Sequence, residues 1–429
     1  MTTLFEFQKE GVAFLSSRRR ALLLDDMGLG KTLQGIRASD DLDVESISTI
    51  CPASVRTQWR RSYKADAENP ADFNSYSYEY ARDKSVDERG VLILDEFHYL
   101  KNSTSGRTKK ILGQSKYGVD GLINQAQYVW GFSGTPMPKD ASDFYAILHA
   151  ITPGALATSD GQTMDYWRFV KKFCVLQKGS KGQIVIRGSK NLDELKERIE
   201  PYILRRTKKE VFKDWKDPII SELWLEDSGL EKELRKLEAT TEGLLLADAL
   251  RDGGIDAVSA LTGFVATLRR YIGLLKVAPV VNWLLEQTDC GLNKVVVMCY
   301  HREVVESISA ELTKNGVANV KYWGGLTDKQ KDTVKVDFVN KPEVKVMVGQ
   351  IDACGTGLDG LQACCSRMLF AEQSWLADQN SQALDRVNRI GQTEPVLAWY
   401  VGIEGSLDGK IMQAVRRRDR DKRTLFDNH

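Results

Sequence analysis

Three short stretches carry residue types that could handle a polyphosphate. The first is Asp25-Asp26-Met27-Gly28-Leu29-Gly30-Lys31-Thr32, between the apolar run Ala21-Leu22-Leu23-Leu24 and Leu33-Gln34-Gly35-Ile36. Strand, glycine loop, Lys-Thr and helix start describe a phosphate-binding loop. Its glycines let backbone N–H groups close around phosphates at a helix N-terminus. Lys31 is expected to reach the β/γ-phosphates and the Thr32 hydroxyl to coordinate magnesium. The general pattern has glycine five positions before Gly30, and Asp25 stands there. The second stretch is Asp95-Glu96, delivered by Val91-Leu92-Ile93-Leu94. Asp95 suits the metal, through water, and Glu96 the polarisation of an attacking water. In the third, Tyr128–Phe132 ends at Ser133-Gly134-Thr135-Pro136, whose small hydroxyls suit a γ-phosphate sensor.

The elements that must position these residues are buried strands alternating with helices. That order implies a parallel sheet with helices on both faces and ligands at the carboxyl ends of its strands. Upstream, Phe7, Gly11, Phe14 and Leu15 have helical apolar spacing, and Gln8 could read an adenine edge through its amide. From about 137 to 293 the composition turns helical. A second α/β lobe opens at Lys294–Tyr300, followed by His301-Arg302, with further strands at 344–348, 367–370 and 396–401. In it Arg386 and Arg389, at i, i+3 on a predicted helix, suit arginine fingers. The expected division is 1–215, an ATP-binding lobe with a helical insertion; 216–290, a helical protrusion and hinge; and 291–429, a second lobe.

Composition excludes several classes. Of 429 residues, 42% are apolar and 28% charged, ordinary for a globular protein. No run approaches the roughly 18 apolar residues of a membrane span, and the N-terminus lacks a secretion-signal layout. Seven cysteines without C-x-x-C and four scattered histidines argue for reduced thiols and against a zinc site. A net charge of +1 neither favours nor excludes nucleic acid. The basic clusters 18–20, 205–209 and 416–423 read as solvated faces.

Taken in order, these motifs resemble the Swi/Snf family of superfamily-two helicase-like DNA translocases. The resemblance runs from Phe7-Gln8 to Gln392. It is carried by DDMGLGKT (25–32), DEFH (95–98), SGTP (133–136), YILRRTKKEV (202–211) and QALDRVNRIGQ (382–392). The segment 268–276 leading into 295–301 is similar to the annealing-helicase-like branch, where an acid at position 25 is normal. The resemblance implies two RecA-like parallel-sheet lobes in tandem with helical insertions, a P-loop superfamily-two core. It implies ATP and magnesium as cofactors, with ATP in the cleft between lobes. Gln8, Asp26, Met27, Gly28, Leu29, Gly30, Lys31 and Thr32 are implied to hold the nucleotide, and Thr32 and Asp95 the metal. Lys31, Asp95, Glu96, Gln382, Arg386 and Arg389 are implied catalytic, with Ser133 and Thr135 coupling hydrolysis to lobe motion. DNA contacts are implied near Ser54, Arg60, Ser77, Tyr78, His301, Arg302, Trp323, Gly324, Gly325 and Thr356. Phe97 and Asn388 stand where the family usually has a small residue and a histidine.

The expectation is therefore a monomeric, DNA-dependent ATPase that moves on double-stranded DNA, with DNA-bound proteins as further partners and no membrane association. A cytoplasmic, nucleoid-associated setting is expected, or host cytoplasm for a viral protein. Strand separation or fork remodelling on the same scaffold is the near alternative, and a nucleotide-switched DNA clamp without turnover the distant one.

Overall fold

The computed structural model describes residues 2–426 except 70, 87–88, 114–119, 179–183, 226–235, 237–261 and 355–357. The predicted helix at 230–250 lies outside the described residues, except for residue 236. Two compact units emerge: Met1–Leu176 with Arg187–Trp215 and Arg420–His429, and Gln177–Ile186 with Lys216–Asp419.

The first unit is built on six parallel strands: β1 (Arg20–Leu23), β2 (Ser46–Cys51), β3 (Asp72–Ser77), β4 (Val91–Asp95), β5 (Tyr128–Phe132) and β8 (Ile203–Leu204), in the order β3-β2-β4-β5-β1-β8. Val91, Leu92, Ile93 and Leu94 are fully buried, as an unbroken apolar run requires when helices cover both sheet faces. β4, β5 and β1 lie side by side, with Asp95 level with Phe132 and Phe132 level with Leu23. Neighbouring strands are about 4.8 Å apart, so this register brings the three polar stretches to one edge.

The second unit carries β9 (Ile219–Leu225), β10 (Val295–Cys299), β11 (Asn319–Tyr322), β12 (Val346–Gln350), β13 (Arg367–Phe370) and β14 (Leu397–Ile403). They form a second parallel sheet in the order β11-β12-β10-β13-β14-β9. A two-stranded ladder, β6 (Cys174–Lys178) with β7 (Ile184–Ser189), completes the set among the described residues. All seven cysteines are free thiols. No described helix is long and apolar enough to cross a membrane.

Two elements differ from expectation. The stretch beginning at 216 opens as β9, paired with β14 from Ile219 to Leu225, rather than as a helical hinge. It is an edge strand with Ile219 and Ile220 more than half exposed, so it lacks the apolar run that marks a buried strand. Ile203–Leu204 likewise joins the first sheet beside β1. It is too short to show a period.

The helix Lys31–Asp40 packs tightly on this first sheet at Gly35. A Cβ there would lie 2.6 Å from Phe132 Cε2 and 3.3 Å from Ile93 Cδ1. Gly35→Ala is expected to destabilise the first unit by about 1–3 kcal/mol through overpacking. A lower urea midpoint with an unchanged slope is the readout.

Candidate active site

The phosphate loop runs from the end of β1 into the helix Lys31–Asp40, with Gly28 at φ 85° and Gly30 at φ 80°. Both sit in the left-handed region, where a side chain is strained and glycine is not. Gly30 is also crowded: a Cβ on it would come within 2.4 Å of Gln8 Nε2. The Lys31 ammonium donates to the loop's own carbonyls, Asp25 O at 2.6 Å and Asp26 O at 3.2 Å. Burial lowers its pKa, opposed by the Glu96, Asp25, Asp95 and Asp26 charges. A phosphate would favour the charged form again.

Asp25, fully buried, anchors the loop. Arg206 donates to it through both faces of its fork, Nε to Oδ1 at 3.0 Å and a terminal nitrogen to Oδ2 at 2.6 Å. Gln34 Nε2 adds a third donor to Oδ2 at 3.1 Å, and the Gln34 amide oxygen in turn accepts from Arg206 at 2.9 Å. Arg206 also donates to the carbonyl of Phe7, at the start of the first helix. Beside it Arg205 pairs with Asp26 at 3.0 Å and donates to Leu24 O at 2.7 Å. Burial would push the Asp26 carboxyl up, but Arg205 and the Lys208 backbone N–H outweigh it and hold it below its usual range. The cluster 205–209, expected as a solvated face, is thus partly interior: Arg206 and Lys208 are buried. Asp25 and Arg206 are 181 residues apart, and nothing in the sequence pairs them.

Gln8 is buried and braces the same loop. Its amide oxygen accepts from Phe5 N at 3.0 Å, and Nε2 donates to Leu29 O at 3.0 Å. Each end of the amide keeps further hydrogen-bonding capacity for an adenine edge.

At the end of β4, Asp95 Oδ2 accepts from Trp59 Nε1 at 2.8 Å. Burial and then the Glu96 charge raise the Asp95 pKa to about 6, against the lowering effect of Trp59 and Lys31. Trp59 had no sequence signal for this role; it reads as an apolar helix position. Glu96 takes a left-handed conformation, φ 52°, rare outside glycine and worth roughly 1–2 kcal/mol of strain. That turn aims its carboxylate at Ser133 Oγ, which donates at 3.2 Å, and at His98 Nδ1, also at 3.2 Å. Burial raises the Glu96 pKa, but the His98 and Ser133 hydrogen bonds with the His98 and Lys31 charges bring it below normal. Ser133 Oγ accepts from Thr135 N at 3.0 Å, and Thr135 Oγ1 lies 3.5 Å from His98 Nδ1. Gly134 lies against the phosphate loop, where a Cβ would be 2.7 Å from Met27 Cγ and 3.4 Å from Lys31 Nζ. Phe97 is fully buried, stacked on Phe144 at 6.0 Å and packed over Gly131.

Two residues expected near DNA have buried side chains. Tyr78 is fully buried and donates its hydroxyl to Asp95 O at 2.8 Å, so it supports the acidic strand end from inside. Ser77 is buried too, and its hydroxyl caps the next helix by accepting from Tyr80 N. Arg60 is exposed and reaches Ser75 O at 3.4 Å. The Ser54 side chain and Thr356 lie outside the described residues.

In the second unit, three of the expected residues come together at strand ends. Arg302 and Lys321 lie 5.3 Å from the ring of Trp323, and His301 precedes Arg302. Gly324 is exposed beside Trp323; Gly325 packs its Cα face on the Trp323 ring. Glu372, buried and missed in the sequence, accepts from Tyr300 N and His301 N at 2.9 Å and pairs with His301 Nδ1 at 2.7 Å. Gln382 lies on the helix Ala377–Leu384, which ends before Arg386 and Arg389, so the two arginines do not share a helix face. They occupy the turns beyond it, and both reach Asp359. Asn388 is buried.

A glycine loop level with an acidic pair and a hydroxyl pair, followed by a second parallel α/β unit, is the arrangement of a helicase-type P-loop core. Residues 74–237 match the SNF2-related domain family. Over 97% of its length the chain is 26% identical to the SWI/SNF-related matrix-associated actin-dependent regulator of chromatin subfamily A-like protein 1 of Xenopus tropicalis. Over the same share it is 23% identical to the DNA annealing helicase and endonuclease ZRANB3 of Bos taurus. It spans less than half of these relatives, 44% and 40%. The Sulfolobus solfataricus SWI2/SNF2 ATPase core in complex with double-stranded DNA aligns at 21% identity and a TM-score of 0.41, covering 100% of this chain and 98% of that one. The chain is thus similar to SNF2-related proteins, with the family match itself confined to residues 74–237.

Removing Arg206 would strand the buried Asp25 charge. Arg206→Ala is expected to destabilise the first unit by about 3–5 kcal/mol, the range for breaking a buried ion pair. Urea unfolding followed by tryptophan fluorescence measures it.

Proposed function

We propose that this chain is an ATP-driven motor that moves along double-stranded DNA. The observation that carries the hydrolytic half is the shared register of Leu23, Asp95 and Phe132 across three adjacent strands. It sets the phosphate loop, the acids and the hydroxyl pair along one edge. The DNA half is supported by the SNF2-related match over residues 74–237 and by the activities named for relatives that are longer than this chain.

In this reading Lys31 exchanges its two loop carbonyls for β/γ-phosphate oxygens, and Gln8 bounds the adenine. Among the described residues no cluster of three or more His, Cys, Asp or Glu side chains forms a metal site. One carboxylate and one hydroxyl, completed by phosphate oxygens and water, is nevertheless ordinary for magnesium. Thr32 and Asp95 would hold it, and it would offset phosphate charge. Glu96, held ionised by His98 and Ser133, takes the proton of the attacking water. Ser133 and Thr135, hydrogen-bonded to that base, register the loss of the γ-phosphate. Arg386 and Arg389, with Gln382, supply the donors that stabilise the transferring phosphoryl group, and the resulting lobe movement steps the protein along DNA. His301, Arg302 and Trp323 with Gly324, and Arg60 in the first unit, grip the phosphate backbone, which carries affinity but little sequence information. The activity named for the annealing-helicase relative supports a second reading, fork or strand remodelling by the same motor.

Steady-state ATP hydrolysis with no nucleic acid, single-stranded DNA, double-stranded DNA or duplex RNA tests the proposal. Strong stimulation by double-stranded DNA is expected, with Lys31→Ala inactive and Glu96→Gln retaining bound ATP. Stimulation by single strands or RNA alone contradicts it, and displacement of a labelled strand selects the remodelling reading.

Protonating Asp95 removes a metal ligand, so kcat/KM should fall as pH drops through about 6. Trp59→Phe deletes a hydrogen bond that favours the ionised carboxylate, so the midpoint of this acid limb should move to higher pH. An unmoved limb would assign it to another group.

A further inference from the structure

Arg386 and Arg389 are brought together by something other than helical spacing. The helix stops at Leu384, and the next amides turn back to near carbonyls, Arg386 N to Ala383 O at 3.1 Å and Val387 N to Leu384 O at 3.1 Å. Their meeting point is one oxygen. Arg386 donates to Asp359 Oδ1 at 3.2 Å, and Arg389 donates to the same atom.

We propose that Asp359 is a positioning residue for the arginine pair, its carboxylate holding both guanidiniums in the pose from which they stabilise the transferring phosphoryl group. The inference rests on the reading of Arg386 and Arg389 as fingers and extends it to a residue outside their motif.

The surroundings suit a fixed bracket. Asp359 stands between Leu358, 1% exposed, and Leu361, fully buried, with Gly360 left-handed at φ 94°. Its backbone is therefore pinned to the core of the second unit while its side chain stays accessible. On the other side Val387 is fully buried between the two arginines and anchors their turn. Two guanidiniums at one point repel each other, and a shared carboxylate offsets that repulsion. A guanidinium has five N–H donors in a rigid fork, and the contact to Asp359 uses one terminal nitrogen of each arginine. Burial would push the Asp359 carboxyl up, but the Arg389 and Arg386 charges outweigh it and bring it below its usual range, so the bracket stays charged at neutral pH. An asparagine has the same size and can still accept a hydrogen bond, but it cannot offset two positive charges.

The test is a kinetic cycle on the full chain with double-stranded DNA present and ATP varied. Asp359→Asn should lower kcat about 10- to 100-fold, the scale of a misplaced catalytic group. KM for ATP should change by less than about threefold, because Asp359 does not touch the nucleotide in this scheme. Asp359→Glu should recover most of the rate. In an Arg386→Ala, Arg389→Ala background, Asp359→Asn should cause no further loss, since a residue acting only through the arginines has nothing left to position. Thermal melting of each variant confirms that the fold is kept. The same fold loss with and without the arginines would overturn the proposal, because Asp359 would then act elsewhere. Slow arginine variants beside an Asp359→Asn variant at the wild-type rate would overturn it alone. A faster Asp359→Asn variant would also overturn it, making the carboxylate a restraint. Arginine variants at the wild-type rate would overturn the finger reading and this inference with it.

Discussion

A carboxylate without exposed surface must find its donors inside the protein, and Asp25 finds three. Two come from one Arg206 guanidinium, whose remaining donors reach Gln34 and the Phe7 carbonyl. A single side chain thus ties together the phosphate loop, the helix that follows it, the first helix of the chain and the strand β8 beside β1. A planar fork suits this better than an ammonium, because it offers several fixed directions at once. With Arg205 on Asp26, the front half of the loop is set by residues contributed from the far end of the same unit. The glycine loop is therefore shaped by the protein's own side chains, the kind of preorganisation that positioning and electrostatics call for.

The catalytic edge follows from strand register on that fixed base. Asp95, Phe132 and Leu23 stand level, so three loops leave the sheet side by side. Fine aim comes from local strain. Glu96 accepts a left-handed backbone, and in return its carboxylate meets Ser133 and His98. The two neighbouring acids are pushed apart in proton affinity by their surroundings: Asp95 up to about 6 through burial and its neighbour's charge, Glu96 down through His98 and Ser133 despite burial. Different environments thus give adjacent residues of nearly equal chemistry different proton affinities.

The second unit uses acidic side chains in the same way, to pin loops at strand ends. Glu372 after β13 holds Tyr300 and His301 after β10. It approaches closely because Gly273 on the helix Thr262–Leu275 has no side chain; a Cβ there would be 2.5 Å from Glu372 Oε1. Asp408 binds the buried Lys276 ammonium at 3.0 Å and fixes the start of the last helix to the end of Thr262–Leu275. Asp359 brackets the arginine pair. Each contact joins segments distant in sequence and lets a loop hold a defined shape on a rigid scaffold.

Much of this protein was legible in the amino-acid order. Buried strands such as Val91–Leu94 announce themselves by unbroken apolar runs, and the glycines at 28 and 30 mark a loop that only glycine can make. Those signals are local, so the parallel α/β class, the phosphate loop, the acidic pair and the hydroxyl pair all followed from sequence. The edge strand Ile219–Leu225 did not, because a half-exposed edge carries no apolar run. Tyr78 and Trp59 could not be assigned either, since an aromatic residue reads alike whether it faces nucleic acid or braces Asp95 from inside. The partners of Asp25, Glu372 and Asp359 were beyond reach for one reason: a charge in a sequence states its sign but not which opposite charge the fold will bring within 3 Å. Sequence alone determined which residue types stand in which local motifs. Tertiary structure decided which carboxylates stand at the strand-end edge and which tie segments of the protein together, because that choice depends on burial and on contacts between segments far apart in the chain.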